Sequence, residues 1–258
     1  MLDCHLHSDF STDSQAAPET VILRAIESGL KHIALTDHMD ICTPRGSAFG
    51  PGAYFAKLAP LKQKYADRIS IAIGIEAGWT LQSQAEMRAI IDNHPFDYVI
   101  NSVHLVNGGD CYWPPYFAGK TREAAYNAFF NTVVDSLDAS FRYHTVGHIN
   151  YIMRNAPYPD KIFDYADFAP VLDRLLGKLI ALDKILEYNT SSPVTLPALN
   201  QIFARYYALG GRKAAFGSDA HAPARIADGY AQASKALKDI GFEYWTAVCG
   251  GKHMRFEI

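Results

Sequence analysis

Short apolar runs rich in β-branched residues recur along the chain, and longer segments with a helical apolar repeat lie between them. The runs at 2–7, 32–38, 69–76, 98–104, 145–148, 185–189 and 214–219 predict seven strands. Pro18 to Leu30 places Ile22, Ile26 and Leu30 on one helical face, with Pro-Glu in the first turn and Gly29 weakening the last. Phe168, Leu172, Leu175, Leu179 and Leu182 make a second stripe. Leu199, Ile202, Phe203 and Tyr206 make a third, which Gly210-Gly211 is placed to stop. Alternation of this kind implies parallel strands with right-handed crossovers, in an open sheet or a closed barrel.

The polar residues favour closure. Nearly every predicted strand ends in a residue able to bind a metal: His5 and His7, His38, Glu76, His104, His148, then Asp219 and His221. A barrel delivers every carboxyl end to one face, whereas an open sheet spreads them along a line. The expected fold class is therefore α/β, a (β/α)7 barrel of TIM type formed as a single domain by residues 1–258.

Composition narrows the partners. A chain of 258 residues, 49% hydrophobic and 20% charged, can fill one such core. Its net charge of -3, without a Lys/Arg cluster, is unsuited to tracking a nucleic-acid backbone. No apolar run approaches the roughly 18 residues of a membrane span, and Met1-Leu2-Asp3-Cys4-His5 does not open like a signal peptide. Cytoplasm is the default location. Cys4, Cys42, Cys111 and Cys249 show no CxxC spacing, which argues against a zinc ribbon or disulfide framework.

In His5-Leu6-His7 the period of two turns both imidazoles to one side of the strand and Cys4 to the other. Asp219-Ala220-His221 repeats that spacing, and Asp13, Asp37 and His38 add ligand types. Imidazole and carboxylate together suit zinc, manganese or iron. Six of the ten histidines fall at strand ends; His32, His94, His144 and His253 fit no pattern and read as structural or surface residues.

The set His5-Leu6-His7, Asp13, Thr36-Asp37-His38, Gly74-Ile75-Glu76, Ser102-Val103-His104, Gly147-His148 and Gly217-Ser218-Asp219-Ala220-His221 resembles the polymerase-and-histidinol-phosphatase (PHP) superfamily. More narrowly it resembles the histidinol-phosphate phosphatase branch, through Gly147 to Arg154 and Glu187-Tyr188-Asn189-Thr190-Ser191. The resemblance implies a distorted seven-stranded barrel and three divalent ions (Zn, Mn or Fe). His5, His7, Glu76 and Asp219 would hold the first. Glu76 would bridge to a second completed by His104 and His148, and Asp13, His38 and His221 would hold the third. Asp13 stands where some relatives have histidine. Expected chemistry is hydrolysis of a phosphate monoester, with a metal-bound hydroxide as nucleophile; no side chain is assigned as leaving-group acid.

The resemblance also makes Arg154 a phosphate contact, for which a guanidinium fork is suited, and points to L-histidinol phosphate as substrate. Relatives usually continue after the Asn-Thr-Ser stretch with Gly and a basic residue. Here Ser192-Pro193-Val194-Thr195-Leu196-Pro197 follows, with no cation before Arg205. Arg45, Lys120 and Arg225 are candidates to compensate, and the loop Cys111 to Phe117 is a candidate wall for the leaving group. Competing readings are a superfamily esterase for a nucleotide or another small phosphate, an amidohydrolase barrel with a bridging modified lysine, and a non-catalytic interaction domain. Glu76 and the full ligand set weigh against the last two.

Overall fold

The computed structural model describes residues 1–41, 43 and 47–258. Seven parallel strands each precede one long helix. The strands are β1 (Leu2–Leu6), β2 (His32–Leu35), β3 (Ser70–Gly78), β4 (Tyr98–Ser102), β5 (Thr145–Val146), β6 (Ile185–Asn189) and β7 (Ala214–Gly217). The helices are α1 (Pro18–Glu27), α2 (Pro51–Lys64), α3 (Gln84–Asp92), α4 (Arg122–Ser136), α5 (Ala169–Ala181), α6 (Leu196–Ala208) and α7 (Tyr230–Ile240). The strands pair in sequence order.

Closure comes from β1 meeting the end of β7. Leu6 bridges Ala220 in parallel, the His7 amide donates to the Ala220 carbonyl at 3.0 Å, and the Asp219 amide donates to the His5 carbonyl at 3.0 Å. The sheet is thus a nearly closed α/β barrel. Asp219 sits at φ 55, a left-handed conformation that aspartate tolerates better than most residues. The seam therefore joins the first and last proposed ligand pairs directly.

The strands are shorter than the apolar runs, because backbone pairing stops where the polar residues begin. β1 ends at Leu6, β4 at Ser102, β5 at Val146 and β7 at Gly217, so His7, His104, His148 and Asp219 stand just past the strand ends. The run at 32–38 breaks after Leu35, and His38–Met39 then pairs separately with Glu76–Ala77. β3 is instead longer than expected and continues to Gly78.

Helices cover the barrel as their stripes require. α1 ends at Glu27, before the expected Leu30; Gly29 at φ 76 takes the chain out of the helix while Leu30 remains buried. α5 buries Val171, Leu172, Leu175, Leu176 and Leu179, each worth roughly 1.5–3 kcal/mol of removed apolar surface. Leu182, at its end, is exposed instead. α4 is capped by Thr121, whose hydroxyl accepts the Ala124 amide at 3.2 Å.

A hairpin with no counterpart in the strand–helix alternation follows α7: β8 (Tyr244–Cys249) and β9 (Lys252–Glu257) around Gly250-Gly251, both at positive φ. The Gly250 amide donates to Asp97, and Phe256 packs on His32, so the hairpin covers the end of the barrel where the strands begin. The polar strand ends are left to face the other way. Among the described residues no helix is long and apolar enough to cross a membrane.

Candidate metal centre

All nine residues expected as ligands converge at the carboxyl ends of the strands. Glu76, buried in β3, is the hub. Its Oε1 faces His148 Nε2 at 2.7 Å and His104 Nε2 at 3.2 Å. Its Oε2 faces His38 Nδ1 at 2.7 Å, His5 Nε2 at 3.4 Å and His7 Nε2 at 3.7 Å. Asp219 Oδ1 adds contacts to His7 at 3.2 Å and His5 at 3.7 Å. His38 and His221 approach each other at 3.3 Å between their Nε2 atoms, with Asp13 3.6 Å and 3.4 Å away.

Four groupings result among the described residues, one of them His38, Asp40 and His104. His5, His7 and Asp219 present ligand atoms to one point; Glu76, His104 and His148 do so to a second; His7, His38 and His221 do so to a third. His7 thus faces two of the groups, and its ring stacks 3.9 Å from that of His221. Glu76 reaches histidines of every one of these groups, with His38 turning Nδ1 toward it.

Among the described residues, His5 Nε2, His7 Nε2, His38 Nδ1 and Glu76 Oε2 face the centre without a hydrogen bond of regular geometry, the last two 2.7 Å apart, while the unpartnered His148 Nδ1 lies on the side of its ring away from Glu76. Leaving that many polar atoms unsatisfied costs on the order of 1–3 kcal/mol each. Cations at the shared focus of imidazole nitrogens and carboxylate oxygens remove that penalty, and the donor set suits zinc, manganese or iron. The residues fit the ions.

The local field is strongly perturbed. Burial works against ionising Glu76 and Asp219, yet the surrounding histidines hold both well below the usual carboxylate range, with Arg154 assisting at Asp219. Burial likewise opposes a charge on His104, but Asp40 and Glu76 override it and push it up to about 10. Burial and the neighbouring histidines drive His7 the other way.

Contacts beyond the expected ligand atoms hold the rings in place. Glu187 Oε1 lies 2.6 Å from His5 Nδ1. Asp40 Oδ1 lies 2.9 Å from His104 Nδ1, the Ser11 hydroxyl 3.0 Å from His7 Nδ1, and the Asp219 carbonyl 3.0 Å from His221 Nδ1. Each contact fixes Nδ1 and leaves Nε2 for the centre, as partners of metal-binding histidines do. Asp40 is two residues beyond His38, yet the ring it orients is that of His104, 64 positions away. Glu187 lay inside the resemblance stretch without a role. Asp37 is turned away from the centre, held by the Ser8 amide and the Ser8 and Ser11 hydroxyls.

A cavity of about 790 Å³ opens above the cluster. Asp13, His38, His104, His148, Asp219 and His221 line it, while His5, His7 and Glu76 are buried deeper. Arg154 also lines it. Its Nη2 donates to Asp219 Oδ2 at 2.8 Å and Asn189 Oδ1 at 2.9 Å, its plane lies 4.9 Å from the Tyr151 ring centre, and its buried Nε has no partner. Among the described residues it is the cavity's sole Lys or Arg.

Two of the three candidate compensating cations are elsewhere. Lys120 bonds the Tyr116 carbonyl and borders a separate depression, and Arg225 pairs with Asp228 at the surface. Arg45 and Cys42 lie outside the described residues. Of the aromatic loop, Tyr112 and Trp113 wall the cavity, whereas Cys111, Tyr116 and Phe117 are packed inside. The three described cysteines are free, and none joins the ligand groupings. His32 and His144 are bonded at the opposite end of the barrel, to Ser70 and the Val99 amide.

Comparison with known proteins places this geometry. The profile of the PHP domain matches residues 3–191. Histidinol-phosphatase of Lactococcus lactis is 32% identical over 97% of this chain and 95% of its own. Probable histidinol-phosphatase of Clostridium acetobutylicum is 30% identical over 94% and 97%. The crystal structure of histidinol phosphate phosphatase from Lactococcus lactis, complexed with zinc, L-histidinol and phosphate, superposes with a TM-score of 0.91, covering 98% of each chain. A putative histidinol phosphatase from Listeria monocytogenes, 21% identical, shares the fold with a TM-score of 0.78 over 90% of this chain and 99% of its own.

Proposed function

The chain belongs to the PHP domain family, and from that membership and its site we propose a metal-dependent phosphomonoesterase that hydrolyses L-histidinol phosphate to L-histidinol and phosphate. One observation carries the reading: buried, unsatisfied ligand atoms converge on Glu76 beneath a cavity whose wall presents Arg154. The relative with zinc, L-histidinol and phosphate bound, alike over nearly the whole chain, supports the substrate. We assign residues 1–258 to one catalytic domain.

Three divalent ions (Zn, Mn or Fe) are proposed. His5, His7, Glu76 and Asp219 hold the first; Glu76, His104 and His148 the second; Asp13, His38 and His221 the third. When bound, such ions neutralise phosphoryl oxygens and acidify water near neutral pH. Glu76 and Asp219, kept ionised by their neighbours, supply the charge that holds cations together. Asp13 is half-exposed, so its group is expected to be the weakest of the three.

Arg154 binds the phosphoryl group. Asp219 and Asn189 grip Nη2 and the Tyr151 ring supports the plane, so the remaining donors are preorganised for phosphate oxygens. Tyr112 and Trp113 offer flat apolar walls for the alcohol portion. No described lysine lines the cavity, which leaves the amidohydrolase reading without its bridging residue. Work on a small metabolite and free cysteines fit a cytoplasmic location. The test is phosphate release from a panel of metabolite phosphates, before and after chelation; rapid turnover of another phosphate while L-histidinol phosphate stays inert overturns the substrate, and no turnover of any overturns the activity.

A further inference from the structure

Glu187 engages two different parts of the centre at once. It is buried in the middle of β6, at 1% exposure. Oε1 lies 2.6 Å from His5 Nδ1, and Oε2 accepts the backbone amide of His148 at 2.5 Å. His5 belongs to the group around Asp219 and His148 to the group around His104. The carboxylate sits over Gly217 of β7, where an added Cβ would fall 2.1 Å from Oε1 and 2.9 Å from the His5 Cβ. Any side chain at that position displaces the contact, so the barrel keeps the space open for this carboxylate.

We propose that Glu187 is a positioning residue that sets the His5 tautomer and the His148 backbone together, and so couples metal affinity at two of the ion positions. The inference rests on the metal-centre reading above. A carboxylate accepts on both oxygens, and both of its partners here are donors. His5 must therefore carry its proton on Nδ1, which frees Nε2 for the centre. From β6, the same side chain ties the loop after β5 on one side to β1 beyond β7 on the other.

The isosteric amide cannot reproduce this. In Glu187→Gln, one orientation keeps the acceptor on His5 and sets an NH2 against the His148 amide, donor against donor. The flipped orientation satisfies His148 but offers His5 a donor, which drives the imidazole proton onto Nε2 and aims it at the ion. Either way one group is disturbed, and exchange between the two orientations disturbs both.

The experiment compares wild type with Glu187→Gln by zinc retention against graded chelator, melting temperature with and without zinc, and nitrogen NMR of the histidine rings. Two ions should be retained about 10- to 100-fold less tightly in the variant. The melting temperature should fall mainly in the zinc-loaded form, and the His5 Nδ1–H signature should be lost. Unchanged chelator resistance in a folded variant, weakening of one ion alone, or an equal fall in melting temperature with and without zinc would each overturn the proposal. If Glu187→Gln does not fold, the His5 signature in wild type decides: protonation at Nε2 overturns it. Failure of wild type to bind zinc at all would instead strike the underlying metal reading.

Discussion

Removing the Arg154 guanidinium isolates its share of catalysis. In the fold its Nη2 is spent on Asp219 and Asn189, while its buried Nε has no partner and the side chain lines the cavity. A charge-assisted contact to phosphate in such a place contributes a few kcal/mol, and about 1.4 kcal/mol corresponds to each factor of ten. Arg154→Ala should therefore lower kcat/KM for L-histidinol phosphate by about 10²-fold or more. Inhibition by the product phosphate should weaken alongside, since the same donors hold it. Arg154→Lys restores charge but not the planar fork, and should recover only part of the loss. Asp219 keeps its contacts to His5 and His7 in either variant, so metal content measured on the same samples should stay near wild type. Arg154→Ala that hydrolyses substrate at the wild-type rate would refute the reasoning, and a variant that loses its metal would show the residue to act through Asp219.

Glu76→Gln should be the most damaging ligand substitution, because both oxygens of this residue face histidines; metal content by elemental analysis should collapse together with activity. Asp13→Ala should remove the weakest ion selectively, leaving about two equivalents after mild chelation, since among the described residues Asp13 pairs with His38 and His221 of the third group. Burial lowers His32 to about 4 inside the fold, so the unfolded chain takes up its proton first as pH falls; stability is lost from about 6.5 downward, by about 2 kcal/mol at pH ~5. Urea unfolding of chelated wild type and His32→Asn at both pH values should show a loss smaller by about 2 kcal/mol in the variant, the remainder coming from other buried histidines such as His144. Ser192 and Arg154 both line the cavity, so Ser192→Arg should lower the Michaelis constant by adding a second cation to its wall.

Period and position made the barrel legible. The apolar runs located all seven strands, and recurrence of His, Asp and Glu at their ends indicated one shared face. Boundaries were less legible, because hydrophobicity does not report where pairing stops: the run at 32–38 reads as one strand, yet Thr36 and Asp37 break it so that His38 can pair beside Glu76. The terminal hairpin alternates with no helix, so the strand–helix pattern does not predict it, although Gly250-Gly251 marks its turn. At the centre, residues meant to touch an ion were readable from their type. Those that orient them were not: Asp40 and Glu187 matter through contacts across strands that no local spacing encodes, and Ser11 through a loop turn that brings it back to His7 four residues away. Lys120 and Arg225 show the converse error, since a cation in a neighbouring loop says nothing about the direction it faces.

The most direct measurement is a metal titration into stripped protein, with phosphate release from L-histidinol phosphate followed at each step. Stripped protein should be inactive, and activity should return as bound metal exceeds about two equivalents per chain. Full turnover by protein shown by elemental analysis to be free of metal, or saturation of activity at one equivalent or fewer, would contradict a three-ion centre built on Glu76.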